Sequence, residues 1–370
     1  MKSALNTCAA LLLVALAGAA PAQIVVGQTA GFTGVVAAGV KETTEGARLF
    51  LDAVNARGGV NGQKVQLVSL DDQFDPKRAA ENARQLAADP KTVALFLTRG
   101  TPHNEAILPV LAEFRLALVA PSTGAMVLHE PVNPYVFNVR ATYQREAERA
   151  VRHLGLIGLS RIAVVQVDDS FGADAAVGAA RGFAGVKIKP VLQLTFNRAK
   201  PDFSTIGPQV AQANAQAVLF LASGQAVADG AKAVRAAGSK AQIVTLSNNA
   251  AGGFIKLMGE NARGTIVSQV FPYERSIAVP LVKEASDLAR AQGLDGVSPA
   301  MMEGFAAAKV LVEGLKRAGP NPTRERLLAA LNNLRPFDLG GMSVSYSPTD
   351  HTGLDFADLS IIGPDGRFRR

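Results

Sequence analysis

Cysteine is almost missing from this sequence: Cys8 is the only one among 370 residues, and tryptophan is absent altogether. One cysteine excludes an internal disulfide and any cysteine-built zinc site. The four histidines, His103, His129, His153 and His351, include no i,i+4 pair, so a helical zinc motif is excluded too. No G-K-[ST] phosphate loop and no G-x-S-x-G nucleophile elbow occurs. Gly27, Gly31 and Gly34 follow the first apolar run, but their spacing is not that of a dinucleotide fingerprint, and Asp71 and Asp72 come too late to serve it. No run of five Lys or Arg occurs, and the net charge of +7 is scattered among acids. That pattern describes a solvated surface rather than a nucleic-acid interface. No cofactor, no metal and no enzymatic activity are therefore expected.

What is present is globular. Hydrophobic residues make up 48% and charged residues 19%, and the length allows two domains with their own cores. Residues 1–22 stand apart. Lys2, an apolar core from Ala9 to Ala17 and Ala20-Pro21-Ala22 form an export signal, with cleavage expected after Ala22. The apolar core is well short of the roughly 20 residues that a membrane span needs. Cys8 lies ahead of that core, so it is no lipoprotein anchor. A mature chain without cysteine must rest on core burial alone.

From Gln23 on, short apolar runs alternate with helical patterns. "IVVGQ", "KVQLVSLDD", "TVALFL" and "LALVAPS" read as strands, with "EGARLFLDAVNARGG", "DPKRAAENARQLAAD" and "PHNEAILPVLAEF" as helices between them. Asp75 and Pro76 mark a helix start. The beat restarts at "RIAVVQVDD" and runs through "AVLFLA" to "QIVTLS". This is α/β alternation, in two units, with parallel sheets covered on both faces. Residues 278–334 then read as successive helices, and the tail returns to strand.

In open parallel sheets, ligands bind beyond the carboxyl ends of the strands. Here those ends read "TAGFTG", "LTRGTP", "APSTGA", "VDDSFG", "LASGQ" and "LSNNA". They are small, hydroxyl-bearing or glycine, and most lead into a helix, which suits a small anion. In "LTRGTP" Thr101 stands at the expected cap, with Pro102 just inside. Arg99 could supply a counter-charge, although a lone loop arginine more commonly faces solvent. Asp168-Asp169 reads as a helix cap in preference to a catalytic carboxylate pair.

The stretches "NARGGVNGQKVQL", "DDQFDP", "TPHNEAILPVLAE", "VFNVRATYQRE", "DDSFGADA" and "EGFAAAKVLVEGLKRAG" resemble the type I periplasmic binding proteins of the leucine/isoleucine/valine-binding family, across essentially the whole mature chain. The resemblance implies two Rossmann-like lobes with parallel sheets, joined by three hinge crossings near 140–143, 268–273 and 336–341. Lobe I would comprise 23–140 plus 272–337, and lobe II 141–271 plus 338–370. It further implies a monomeric periplasmic receptor that hands a small carboxylate ligand to an inner-membrane ABC permease.

Carried onto these residues, the resemblance places Thr101 where a hydroxyl grips the ligand carboxylate. Ser122, Thr123 and Gly124 complete that grip through main-chain N–H groups and a hydroxyl. Phe171 covers the ligand, and Gly224 falls where relatives have an aromatic. Ser247, Asn248 and Asn249 lie where amino-acid binders place an acid against the ligand ammonium. The expected ligand is an amino acid or a related organic acid; the loop carries no acid here and Ala37-Ala38 replaces a tyrosine, which disfavours a standard α-amino acid and leaves room for a bulkier or less polar ligand. A ligand-sensing receptor for a signalling partner is the alternative. An enzyme on this scaffold lacks its motif, and a transcription regulator would lack its DNA-binding headpiece.

Overall fold

The computed structural model describes residues 23–370; the export signal read at 1–22 lies outside them. Two sheets centre two α/β lobes. The first runs β2 (Val65–Asp71), β1 (Ile24–Ala30), β3 (Thr92–Phe96), β4 (Ala117–Val119) and β5 (Val136–Phe137), all parallel. Every residue of β1 and β3 is buried, as unbroken apolar runs require when helices cover both faces. Helices α1 (Ala37–Ala56), α2 (Pro76–Ala88) and α3 (Thr101–Phe114) connect these strands. Asp75 caps α2 by accepting the Arg78 N–H at 2.9 Å, with Pro76 at the first helical position.

The second sheet has the order β14 (Phe368–Arg369), β13 (Asp358–Ile362), β10 (Ile266–Gln269), β9 (Gln242–Thr245), β8 (Ala217–Leu221), β6 (Ile162–Val167), β7 (Leu192–Phe196). β6 to β10 are parallel, and β13 and β14 add antiparallel edges. Its helices are α4 (Tyr143–Leu156), α5 (Ser170–Gly185), α6 (Ile206–Gln212), α7 (Gln225–Ala236) and α8 (Gly252–Met258). Asp169 caps α5, accepting the N–H groups of Phe171 and Gly172.

The late helices α9 (Pro280–Ala291), α10 (Pro299–Ala318) and α11 (Arg324–Asn332) return to the first lobe. Leu281, Phe305, Leu311 and Leu327 share one core with Val26 and Phe96. Helix α10 lies directly against α1: a Cβ on Gly304 would stand 1.8 Å from the Thr43 carbonyl, so only glycine admits this approach.

The chain changes lobes three times. It leaves the first core after Ala141 and enters the second at Tyr143, and it returns between Gln269 and Val270. The third passage is later than the 336–341 read from the resemblance. The hairpin β11 (Phe337–Asp338) and β12 (Ser343–Val344), together with Leu339, Tyr346 and Leu354, packs in the first core. The Tyr346 hydroxyl donates to the Asn138 carbonyl at 2.5 Å, and the Leu354 N–H to that of Val139 at 3.0 Å. Burial of these apolar residues against Phe137 holds the tail in lobe I until 354, and β13 begins lobe II at 358.

Candidate functional site

The carboxyl ends of β3 and β4 meet those of β8 and β9 across a cleft. After β3 the chain turns through Leu97-Thr98-Arg99-Gly100. Gly100, at φ 93°, is the N-cap of α3; Thr101 is already helical and does not cap. The Thr101 hydroxyl instead pairs with that of Thr123 at 2.9 Å, both buried. The main-chain N–H of Ser122 donates to the Thr98 carbonyl at 2.7 Å, so it is not a free donor for a ligand. Gly124 packs against the Ala141 carbonyl, and its own carbonyl accepts from the Tyr143 N–H at 2.8 Å.

Arg99 is only 5% exposed, against the surface reading of a lone loop arginine. The reason is topological: the end of β3 points at the second lobe, not at water. One guanidinium nitrogen donates to Ser122 Oγ at 2.9 Å, and the other crosses to the Asn248 carbonyl at 2.7 Å. The Ser122 hydroxyl in turn donates a hydrogen bond to Glu303 Oε1 at 2.7 Å.

The facing wall is the 3-10 turn Ser247–Asn249 after β9. Its side chains are committed within their surroundings. Ser247 Oγ accepts from Arg140 at 2.8 Å. Asn248 donates to the Ala222 carbonyl and to Ser223 Oγ, at 3.1 and 2.8 Å. Asn249 donates to Ala222 and Thr245 and accepts the Gly224 N–H at 2.7 Å. Among the described residues, Asn248 Oδ1 is buried with no donor. Gly224, at φ 50°, lies where the lobes touch: a Cβ there would sit 2.0 Å from the Val35 carbonyl. Phe171 is buried and packs edge-on against Tyr143, with ring centroids 4.7 Å apart.

Three charged residues in this cleft had no local signature. Arg140, at the first crossing, donates to Glu146 and lies 4.5 Å over the Tyr143 ring. Glu146 also accepts the Ser247 N–H at 2.8 Å and the Ser268 hydroxyl. Glu303 reaches in from the first turns of α10, with Oε2 3.9 Å from Arg140. The one signal for Glu303 is weak, a lone acid in the otherwise apolar run "PAMMEGFAAA". Burial works to lower the basicity of Arg140, but the charges of Glu146 and Glu303 outweigh it and hold the guanidinium above its ordinary range. So the acid missing from 247–249 is not missing from the cleft; Glu146 and Glu303 supply it from other elements, already partnered.

The lobes are shut on each other. The seam between Val36, Ala38 and Gly39 on one side and Gly224, Asn248 and Ala251 on the other encloses about 10 Å³, at the threshold for a single water. The Glu42 carboxylate of α1 accepts the N–H groups of Gly252 and Gly253 on α8, at 3.0 and 2.7 Å. Ser170 of α5 donates to Glu105 of α3 at 2.6 Å. No cluster of metal-ligating side chains occurs among the described residues, and no described helix is long and apolar enough to cross a membrane.

Residues 23–355 match the family described as "Periplasmic binding protein". The chain is 26% identical over 357 residues to Leu/Ile/Val-binding protein homolog 3 of Brucella melitensis, covering 93% of each chain. A substrate-binding periplasmic protein from Ralstonia solanacearum superposes with a TM-score of 0.83 at 33% identity, over 94% of this chain and 99% of the other. A branched chain amino acid ABC transporter from Thermus thermophilus, solved with bound valine, shares the fold, with TM-score 0.82 at 18% identity over 95% and 96%. This chain belongs to the periplasmic binding proteins, as a type I member of the leucine/isoleucine/valine-binding family.

Proposed function

We propose that this protein is an exported, non-enzymatic receptor that binds a small carboxylate-bearing ligand between its lobes and delivers it to an inner-membrane ABC permease. The observation that carries the reading is Arg99. It is a buried cation held by a hydroxyl and a carbonyl, and it makes no ion pair among the described residues. Its one acidic neighbour in this network, Glu303, stands behind the Ser122 hydroxyl and is shared with Arg140, and a ligand carboxylate would supply a direct counter-charge to a buried cation. The nitrogen bonded to Asn248 is released when the lobes part to admit a ligand, and a carboxylate takes the place of that carbonyl as they close again. The Thr101–Thr123 hydroxyl pair lies two residues along and offers a further donor.

Glu303 is engaged by Ser122, and the 247–249 turn carries no acid, which disfavours an α-ammonium at either place. An acid lacking the α-amine is therefore expected to bind better than leucine or valine. Calorimetry on the mature protein tests this. Arg99→Gln should cost about 1.5–3 kcal/mol of affinity, roughly ten- to a hundredfold, for any carboxylate that binds, and Thr101→Ala a smaller share. Micromolar leucine binding, or unchanged affinity in Arg99→Gln, would remove the reading. N-terminal sequencing of the exported form should find Gln23.

A further inference from the structure

Where the chain re-enters lobe I after the second crossing, a recess of about 450 Å³ opens between residues 274–277, helix α9 and the loop 295–297 ahead of α10. It shares no lining residue with the contacts of Arg99, so it is a space apart from the cleft.

Glu274 stands in its wall. The residue is only 7% exposed, yet among the described residues its Oε2 has no hydrogen-bond partner. A buried carboxylate oxygen left unpaired is costly, and folded proteins rarely keep one without a use for it. Two cations share the wall, and neither closes on it. Arg290 is engaged by Asp287 at 2.5 Å. Arg275 is exposed and acts on Glu274 through its charge alone. Asp295 adds a second, exposed acid to the lining. Ile277, 64% exposed, and the half-buried Val297 give the recess an apolar side.

We infer that this recess is a second ligand site, independent of the carboxylate reading above, and that it takes a primary alkylammonium: the ammonium on Glu274, the alkyl chain against Ile277 and Val297. An ammonium supplies both the donor and the charge that the Glu274 carboxylate lacks. Arg275 and Arg290 oppose a second positive charge, so a monoamine is favoured over a diamine. Occupancy should follow pH. Burial pushes the Glu274 carboxyl from 4.5 up to about 7, although its own main-chain N–H and the Arg275 charge both work to lower it. The ammonium binds the ionised form, so affinity should rise about tenfold between pH 6 and pH 8.

The test is calorimetry on the full mature protein with two probes, butylammonium and methylammonium, at both pH values. Butylammonium should bind at least about fivefold more tightly than methylammonium, because its methylenes leave water against Ile277 and Val297. Ile277→Ala, a change at an exposed position, should shrink that advantage. Glu274→Gln should weaken both amines at least about tenfold at pH 8 and remove the pH dependence. Because burial opposes the Glu274 charge, this variant should melt no lower than wild type at pH 8, which separates loss of the site from loss of the fold. The wild-type pH profile tests the same point without any substitution. No butylammonium binding at pH 8, equal affinity at pH 6 and pH 8, or an affinity unmoved in Glu274→Gln overturns the inference and leaves the carboxylate reading of the cleft untouched.

Discussion

Gly224→Ala should keep the lobes from closing while leaving each of them folded. The added Cβ would stand 2.0 Å from the Val35 carbonyl, where ordinary contact begins near 3.4 Å. Carbonyl and turn are both main chain, so neither can rotate aside, and the lobes must back away by more than an ångström. That retreat stretches the two Glu42 bonds, 3.0 Å to the Gly252 N–H and 2.7 Å to the Gly253 N–H, beyond useful length. Hydrogen bonds to charged groups contribute about 1.5–3 kcal/mol each, so even one lost at the low end shifts closure about tenfold. Ligand affinity should fall by roughly ten- to a hundredfold. Backbone strain at positive φ is a separate effect, about 1–3 kcal/mol on the stability of lobe II, since Gly224 at φ 50° and ψ −118° holds a conformation that side-chain-bearing residues avoid. Gly238→Ala isolates it: Gly238 has φ +79° and nothing within 4 Å of its Cβ position. Calorimetry with the acid that binds, and small-angle scattering at saturation, compare the two. Gly238→Ala should melt earlier but bind and compact normally; Gly224→Ala should melt earlier, bind weakly and stay expanded. Equal affinity and equal radius of gyration in the two variants would refute the reasoning.

Three further outcomes follow from the same contacts. Glu42→Gln leaves one carbonyl oxygen where two carboxylate oxygens receive the Gly252 and Gly253 N–H groups, and should weaken ligand binding about threefold to tenfold by calorimetry, with the melting temperature of the unliganded protein little changed. Glu146→Gln leaves the buried Arg140 charge only the longer contact with Glu303 and should cost about 3 kcal/mol in denaturant unfolding, far more than any exposed pair such as Arg84–Glu113. His129 is buried and, among the described residues, neither ring nitrogen has a partner; burial pushes its imidazole from 6.5 down to about 4. The folded state resists protonating it, so its contribution is intact above pH 6.5 and is lost as pH falls toward 4. Wild type should lose about 3 kcal/mol relative to His129→Leu over that window, and parallel stability–pH curves for the two would contradict it.

How much of this the sequence announced differs between fold and site. Period and punctuation are local, so the strands, the Asp75-Pro76 start and the Asp169 cap could be read directly. The residues around Thr101, Ser122 and Asn248 could be placed at strand ends for the same reason. What they do there could not. Arg99 meets a carbonyl 149 residues away and Ser122 a carboxylate 181 residues away, and no local pattern encodes either encounter. Glu146 reads as an ordinary polar position of an amphipathic helix, because its inward direction depends on Arg140 and on a strand 122 residues later. The third crossing was misplaced for a related reason. Short strands near 337–344 carry the same alternation whichever core they join, and only the contacts of Tyr346 and Leu354 decide.

That late crossing bears on the order in which the molecule can be made. The first lobe begins at residue 24, yet its core is incomplete until Leu339, Val344, Tyr346 and Leu354 are in place. A chain emerging from the ribosome therefore has no finished N-terminal domain to fold while the rest is synthesised, unlike the usual domain-by-domain sequence. Lobe II, mostly drawn from one continuous stretch between 143 and 269, is the part able to settle early. The price of interleaving is slow, long-range closure of lobe I. Its consequence is a first lobe that stays without a finished core until almost the last residues have been made.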